Sequence, residues 1–411
     1  MSGEEYFTTK DTKGTKGICS DQTPNVQHPT SNIQRNTATG EPETRNQEPE
    51  TRDSELGTRN SGGSARTRLV FLVGQTATGK GAAGFELAKR IGAEILSLDS
   101  MKIYRGMDIG TAKPPAERRC GTGFQPVTEH GQGHGQDASA TGAAVRYHLL
   151  DLADPSEHFS TALYVRAAET AIAEIIGRGA VPLFVGGTVL YLKALTEGLF
   201  EGPGADAEFR SRIRREAAEL GTAVLHERLG RVDPAAAARI HPNDLRRIER
   251  ALEVFELTGR PISELQTQFG RPSEKYESVI LGLRREEADL HERIARRVDA
   301  MMAAGWLDEV RRLTGSGTGA LGKEASQAVG YKELAAHLRG ECSLEEAVEL
   351  VKLRTRQFAK AQRTWFKRIP GIWWLDVAKD EPAESVTERL HKIVQCSREG
   401  VTGNEKPGGC P

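Results

Sequence analysis

The chain has 411 residues, a formal net charge of −1 and only 6% aromatic side chains, a length that allows two packed units at roughly 100–200 residues each. The near-zero charge averages an acidic, polar N-terminus against strongly basic local segments, so it points to no class of partner. No apolar run approaches the ~20 residues of a membrane span and no apolar signal core opens the chain; with five scattered cysteines and no C-x-x-C pair, a cytoplasmic protein with free thiols and no membrane contact is expected.

In chain order, residues 1–66 are rich in Thr, Asn, Glu, Gly and Pro, with an approximate TRN/TRD repeat and no hydrophobic periodicity. Such a segment buries too little apolar surface to offset its ordering entropy, and a disordered tail is predicted. Arg68–Gly74, RLVFLVG, is a continuous apolar run ending in glycine, the pattern of a strand buried on both faces. Lys80–Ile91 reads as a helix and Glu94–Leu98 as a second strand. Residues 121–144 are of low complexity; His130 and His134 stand four apart there, but the glycines between them forbid the helix that a metal pair would need. Ala162–Gly177 is a predicted helix and Val181–Gly186 a third buried strand. The βα alternation predicts an α/β fold, a P-loop NTPase-like parallel sheet covered by helices, over residues 67–202.

Residues 203–273 change character, with nearly continuous helical pattern broken at Pro234 and Pro242, and read as an inserted all-helical subdomain. Ser278–Leu283 returns the chain to the sheet, and helices over Glu286–Ala304, Leu307–Thr314 and Leu344–Lys367 make residues 274–396 a return to the core with a helical C-terminal part. Residues 397–411 are again polar and glycine-rich, a second disordered tail.

The functional signal lies between the first strand and the first helix. Gly74-Gln75-Thr76-Ala77-Thr78-Gly79-Lys80 has the spacing of a phosphate-binding loop, whose backbone N–H groups and helix N-terminus attract anions while the lysine supplies a full charge. Gly81 stands where such a loop continues with Ser or Thr. The missing hydroxyl is a usual Mg²⁺ ligand; water can replace it, so Mg²⁺ beside Lys80 and Gly81 and looser diphosphate binding are expected. Asp99 follows the second strand and faces the same crevice, as a Mg²⁺-binding carboxylate or a general base.

The run Asp99-Ser100-Met101-Lys102-Ile103-Tyr104-Arg105-Gly106-Met107-Asp108-Ile109-Gly110-Thr111-Ala112-Lys113-Pro114 resembles the signature of the bacterial tRNA dimethylallyltransferases. Further matching blocks follow in order: Tyr147-His148-Leu149, Gly186-Gly187-Thr188, His241-Pro242-Asn243-Asp244, Gly305-Trp306 with Asp308-Glu309-Val310, Ala328–Glu333 and Thr355–Lys360 with Thr364-Trp365-Phe366. The resemblance spans about 68–376, apart from 121–144. It implies transfer of a dimethylallyl group from dimethylallyl diphosphate to N6 of the adenine 3′ of the anticodon, with diphosphate released. On the same resemblance the loop Gly74–Gly81 holds the prenyl diphosphate, Arg297 (and less directly Arg293) grips its oxygens, Asp99 accepts the amine proton, and Thr188 stands beside the reacting groups. Asp99, Ser100, Met101 and Lys102, then Arg246, Arg247 and Arg250, and finally Ser326, Gln327, Gly330, Tyr331 and Lys332 match stretches that meet the tRNA; for the three arginines a structural ion pair with Glu249 or Glu253 is the equal alternative.

Lys352–Arg368 carries seven cations and no acid. Lys352, Arg356, Lys360, Arg363 and Lys367 recur at helical spacing and form a stripe suited to the phosphates of a tRNA anticodon stem-loop, with Arg356, Lys360 and Arg363 as the assigned contacts. Val351, Phe358 and Trp365 keep a seven-residue spacing that reads as a core face. A monomer is expected. The competing readings are a P-loop NTPase or small-molecule kinase, and a tRNA-binding homologue impaired at Gly81.

Overall fold

The computed structural model describes residues 66–115, 119–120, 145–200, 202–266, 271–315 and 321–397. Both expected tails, apart from single boundary residues, and the 121–144 segment with His130 and His134 lie outside the described residues. The described part belongs to one compact unit, residues 63–411.

A parallel sheet of seven strands organises the chain. They are β1 (Thr67–Gly74), β2 (Ala93–Leu98), β3 (Arg119–Cys120), β4 (Val145–His148), β5 (Val181–Gly186), β6 (Tyr276–Arg284) and β7 (Ile372–Asp376). Their spatial order is β3-β4-β2-β5-β1-β6-β7, and every pairing is parallel. Parallel neighbours need crossovers, and helices supply them on both faces. Along β1 the side chains alternate. Leu69, Phe71 and Val73 pack against α2 (Thr161–Gly177) and α3 (Val189–Thr196), while Val70 and Leu72 pack against α1 (Lys80–Ile91) and α13 (Ala383–Cys396). Two apolar faces make the strand read as an unbroken apolar run.

The expected helical insertion is α4 (Ala207–Leu220), α5 (Thr222–Val232), α6 (Pro234–Ala237), α7 (Leu245–Thr258) and α8 (Ile262–Leu265). These close around their own core of Phe209, Ile213, Leu225, Leu229, Ile248 and Leu252. After β6 come α9 (Glu287–Ala303), α10 (Trp306–Gly315), α11 (Tyr331–Leu338) and α12 (Leu344–Phe366). They wrap the 101–109 loop in a third core containing Ile103, Tyr104, Met107, Trp306 and Tyr331.

Three sequence expectations need correction. Phe358 and Trp365 are not core: they are 48% and 40% exposed, while Val351 is buried. The strand β7 and helix α13 were missed, the strand because its IWWLD run is short and only partly buried at the sheet edge. Cys342 is a free thiol as expected, but Cys396 is disulfide-bonded.

Candidate active site

The phosphate loop connects β1 to α1 at the carboxyl edge of the sheet, where open α/β sheets bind ligands. At Gly74 φ is 145°, and a Cβ there would stand 2.6 Å from the Leu283 carbonyl oxygen of neighbouring β6, so only glycine lets the chain leave the strand. Ala77 is also left-handed, at φ 63°. The N-cap Gly79 brings no side chain to the first turn of α1, which leaves those N–H groups to an anion. Lys80 Nζ donates to the Gln75 carbonyl at 2.6 Å.

Helix α9 closes the loop from the other side. Arg293 Nε donates to the Ala77 carbonyl at 2.9 Å, and Arg297 Nη1 donates to Thr76 Oγ1 at 3.3 Å. Arg285, just before α9, donates to the Thr78 carbonyl at 3.1 Å while paired with Asp289 at 2.8 Å. Arg293, Arg296 and Arg297 stand three and four apart and so share one helical face.

Asp99 follows β2. Its Oδ1 accepts the Met101 N–H at 2.9 Å and the Lys102 N–H at 3.4 Å, a turn that fixes the carboxylate against its own loop. The ends of β2 and β5 are stitched together, because the N–H groups of Gly187 and Thr188 both donate to the Leu98 carbonyl at 3.1 Å. Thr188 thereby reaches the Asp99 turn, and its Oγ1 accepts the Ser100 N–H at 3.0 Å. Thr188 occupies the N-cap position of α3 but makes no side-chain cap, so the hydroxyl is spent on the Asp99 loop instead.

One open cavity of about 530 Å³ brings these parts together. It is lined by Thr76, Ala77, Gly79, Lys80 and Gly81 of the loop, by Asp99 and Lys102, by Gly186 and Gly187, by Arg293, Arg296 and Arg297, and by Phe358 and Gln362 of α12. Five cations face a single carboxylate. Burial, with Arg297 and Lys102 close by, pushes the Lys80 ammonium down to about 7, and the Asp99 charge opposes the shift. Burial likewise lowers Arg297, again against the pull of Asp99. A site that crowds positive charge in this way suits a polyanion.

Two family comparisons bear on this geometry. Residues 102–369 match the family model described as IPP transferase, and residues 67–123 match one described as isopentenyl transferase. The chain belongs to the IPP transferase family. It is 45% identical over 329 residues to a tRNA dimethylallyltransferase of Symbiobacterium thermophilum, spanning 80% of this chain and 95% of that one. It is 44% identical to the enzyme of the same name from Geobacter sulfurreducens, over 76% and 93% of the two chains. Among solved structures it resembles a tRNA isopentenylpyrophosphate transferase from Bacillus halodurans, with TM-score 0.56, 37% identity and coverage of 82% and 98%. It also resembles a eukaryotic dimethylallyltransferase solved acting on tRNA, with TM-score 0.66, 25% identity and coverage of 81% and 80%.

Much of the family signature is scaffolding. The fully buried Lys113 donates to the Tyr104 carbonyl at 2.5 Å and pairs with Asp108 at 2.8 Å and Asp151 at 2.6 Å. Glu309 of α10 accepts the N–H groups of Asp108, Ile109 and Gly110 at 2.9, 2.7 and 3.1 Å, and the Tyr331 hydroxyl at 2.6 Å. These ties hold the loop that begins at Asp99.

The residues expected at RNA divide in two. Arg246, Gln327, Lys332 and Lys360 are exposed, and Ser326 and Arg356 are half-buried. Arg247 is exposed, pairs with Asp244 at 3.2 Å and stacks on Trp365 at 5.5 Å. Arg363 pairs with Glu287 at 3.3 Å. Three others are committed to packing or ion pairs within the protein. Tyr331 is 0% exposed on Glu309, and Gly330 is buried where a Cβ would strike the Trp306 ring. Arg250 is held by Glu253 at 2.6 Å and the Pro203 carbonyl at 2.9 Å. Lys352, in the cationic stripe, is bound by Asp299 of α9 and Glu349, each at 2.9 Å. Sequence reasoning missed Gln362, Phe358 and Arg296 at the cavity; an amide or an aromatic in a helix carries no signal of what the helix packs against.

Proposed function

We propose that this transferase moves the dimethylallyl group of dimethylallyl diphosphate onto N6 of the adenine that follows the anticodon in tRNA. The carrying observation is the single cavity that holds the phosphate loop, Arg297 and Asp99 together; membership of the IPP transferase family supports the same reading. The diphosphate lies against the loop amides, Lys80, Arg293 and Arg297, which stabilise the charge that grows on it as the allylic carbon–oxygen bond breaks. N6 attacks that carbon, the new carbon–nitrogen bond forms, and the amine proton passes to the free Oδ2 side of Asp99. Thr188 holds Ser100, and so keeps the Asp99 turn in place.

The donor set suits Mg²⁺ that arrives on the diphosphate. Asp99 is the one acid in the cavity, and no cluster of three metal-ligating side chains exists among the described residues. Held beside Lys80 and Gly81, such a cation would supply positive charge against the diphosphate. Gly81 has open space where a Cβ would stand, so Gly81→Thr should fit and tighten Mg²⁺–diphosphate binding in calorimetry; weaker binding contradicts this account of the loop.

The adenine reaches the cavity by leaving its stack, entering past the Ser100–Lys102 turn, while the exposed cations of α12, Arg246 and Lys332 meet the anticodon stem-loop phosphates. A tRNA substrate supports action in the cytoplasm. Incubation with labelled dimethylallyl diphosphate, Mg²⁺ and unmodified tRNA should put label in the RNA. ATP turnover without RNA label, or tRNA binding without transfer, refutes the proposal.

A further inference from the structure

Helix α12 turns one side toward solvent with Lys360 and inserts the other between the two halves of the cavity. There Gln362 is 6% exposed. Its Oε1 accepts the Thr76 N–H at 2.8 Å, and its Nε2 donates to the Gly187 carbonyl at 3.0 Å. An N–H can only donate and a carbonyl can only accept, so the primary amide satisfies both groups in one orientation alone; a carboxylate would satisfy one, and an apolar chain neither. From the loop side Gln75 Nε2 donates to the Ala359 carbonyl of α12 at 3.0 Å. Three segments are thus locked at one point: the phosphate loop, the turn that carries Thr188 to the Asp99 loop, and the helix that bears the cations.

We propose that Gln362 is a positioning residue that sets the separation of diphosphate and acceptor amine, and through which RNA docking on α12 is transmitted to the diphosphate pocket. The inference rests on the prenyl-transfer reading above. The segment that joins the two sites is Gln75–Thr76. Lys80 gives one of its three ammonium protons to the Gln75 carbonyl at 2.6 Å and keeps two for a diphosphate, so the position of Gln75, which with Thr76 is held by α12, sets where the lysine meets it. A ligand that fixes α12 where Lys80 and the loop are aimed at the diphosphate strengthens diphosphate binding, and linkage makes the effect reciprocal.

The test is calorimetric binding of an unreactive thio analogue of dimethylallyl diphosphate, with and without an anticodon stem-loop RNA. In the parent protein the RNA should tighten the analogue at least about fivefold. Gln362→Met should lose that enhancement while binding the RNA alone as the parent does. Gly187→Ala approaches the same link from its other end, because the added Cβ would stand 2.3 Å from Gln362 Nε2 and displace the amide; it should lose the enhancement too, and it stands alone if Gln362→Met does not fold. A merely structural role would lower thermal midpoint and analogue affinity in the variants but keep the enhancement ratio, and that result overturns the proposal, as does a parent without enhancement. A parent that transfers no prenyl group defeats the functional reading instead; a parent that transfers normally beside variants with full enhancement defeats only the role of Gln362.

Discussion

At the scale of single residues, the proposed mechanism rests on two side chains, and each makes a separate prediction. Asp99→Asn keeps an oxygen for the N–H groups of Met101 and Lys102 but removes the base. Single-turnover transfer should fall about 10²–10⁴-fold with RNA affinity unchanged; a variant as fast as the parent takes Asp99 out of the mechanism. Lys80 predicts a pH effect on stability. Its folded-state value, about 7, lies below its ordinary 10.5, so between those values the unfolded chain holds more of this proton and stability rises with pH. Below 7 the cost of burying the charge is constant. Lys80→Met removes the cost, and should therefore be more resistant to urea than the parent at pH 6.5, by a margin that shrinks toward pH 9. A margin that does not change with pH contradicts the shift.

At the scale of elements, α12 shows why a helix can have several functions along one face. Its 23 residues extend roughly 35 Å, longer than any single neighbour. Val351 meets the α9–α11 core, but seven residues later, on nearly the same face, Phe358 meets the open cavity, and at Trp365 the neighbours are Arg247 of the helical insertion and Arg368. The seven-residue spacing was correctly helical and wrongly core, since periodicity reports which side chains share a face and not what that face meets. The cations follow the same logic. Lys352 is already bound by Asp299 and Glu349, and Asp299, on α9, was invisible within the helix. Lys360 is exposed. Lys360→Ala should weaken tRNA binding and reduce the slope of log affinity against log salt by about 0.7–0.9, whereas Lys352→Ala should leave the slope unchanged. Equal slopes for both variants contradict the division.

At the scale of the whole molecule, the sequence was legible where chemistry is local. Apolar runs marked the strands β1, β2, β5 and β6, and a strand–glycine–helix junction marked the loop beneath Lys80. The helical insertion was visible as a long stretch without strand pattern. What was not legible came from distant segments meeting. Glu309 reaches the Asp108–Gly110 backbone across about two hundred positions, and Gln362 reaches Thr76 across nearly three hundred. The same kind of meeting withdraws Tyr331 from the surface onto Glu309, although it stands in a stretch that resembles an RNA contact. A family motif therefore mixes groups that touch substrate with groups that hold those groups still, and only packing separates them.

The central claim is that leaving group and proton acceptor share one cavity, and the most direct measurement is a crystal structure with the thio analogue and an anticodon stem-loop bound together. The account predicts the diphosphate on Lys80 and Arg297, with adenine N6 about 3 Å from an Asp99 carboxylate oxygen. A diphosphate bound elsewhere, or an adenine whose N6 faces away from Asp99, would contradict it.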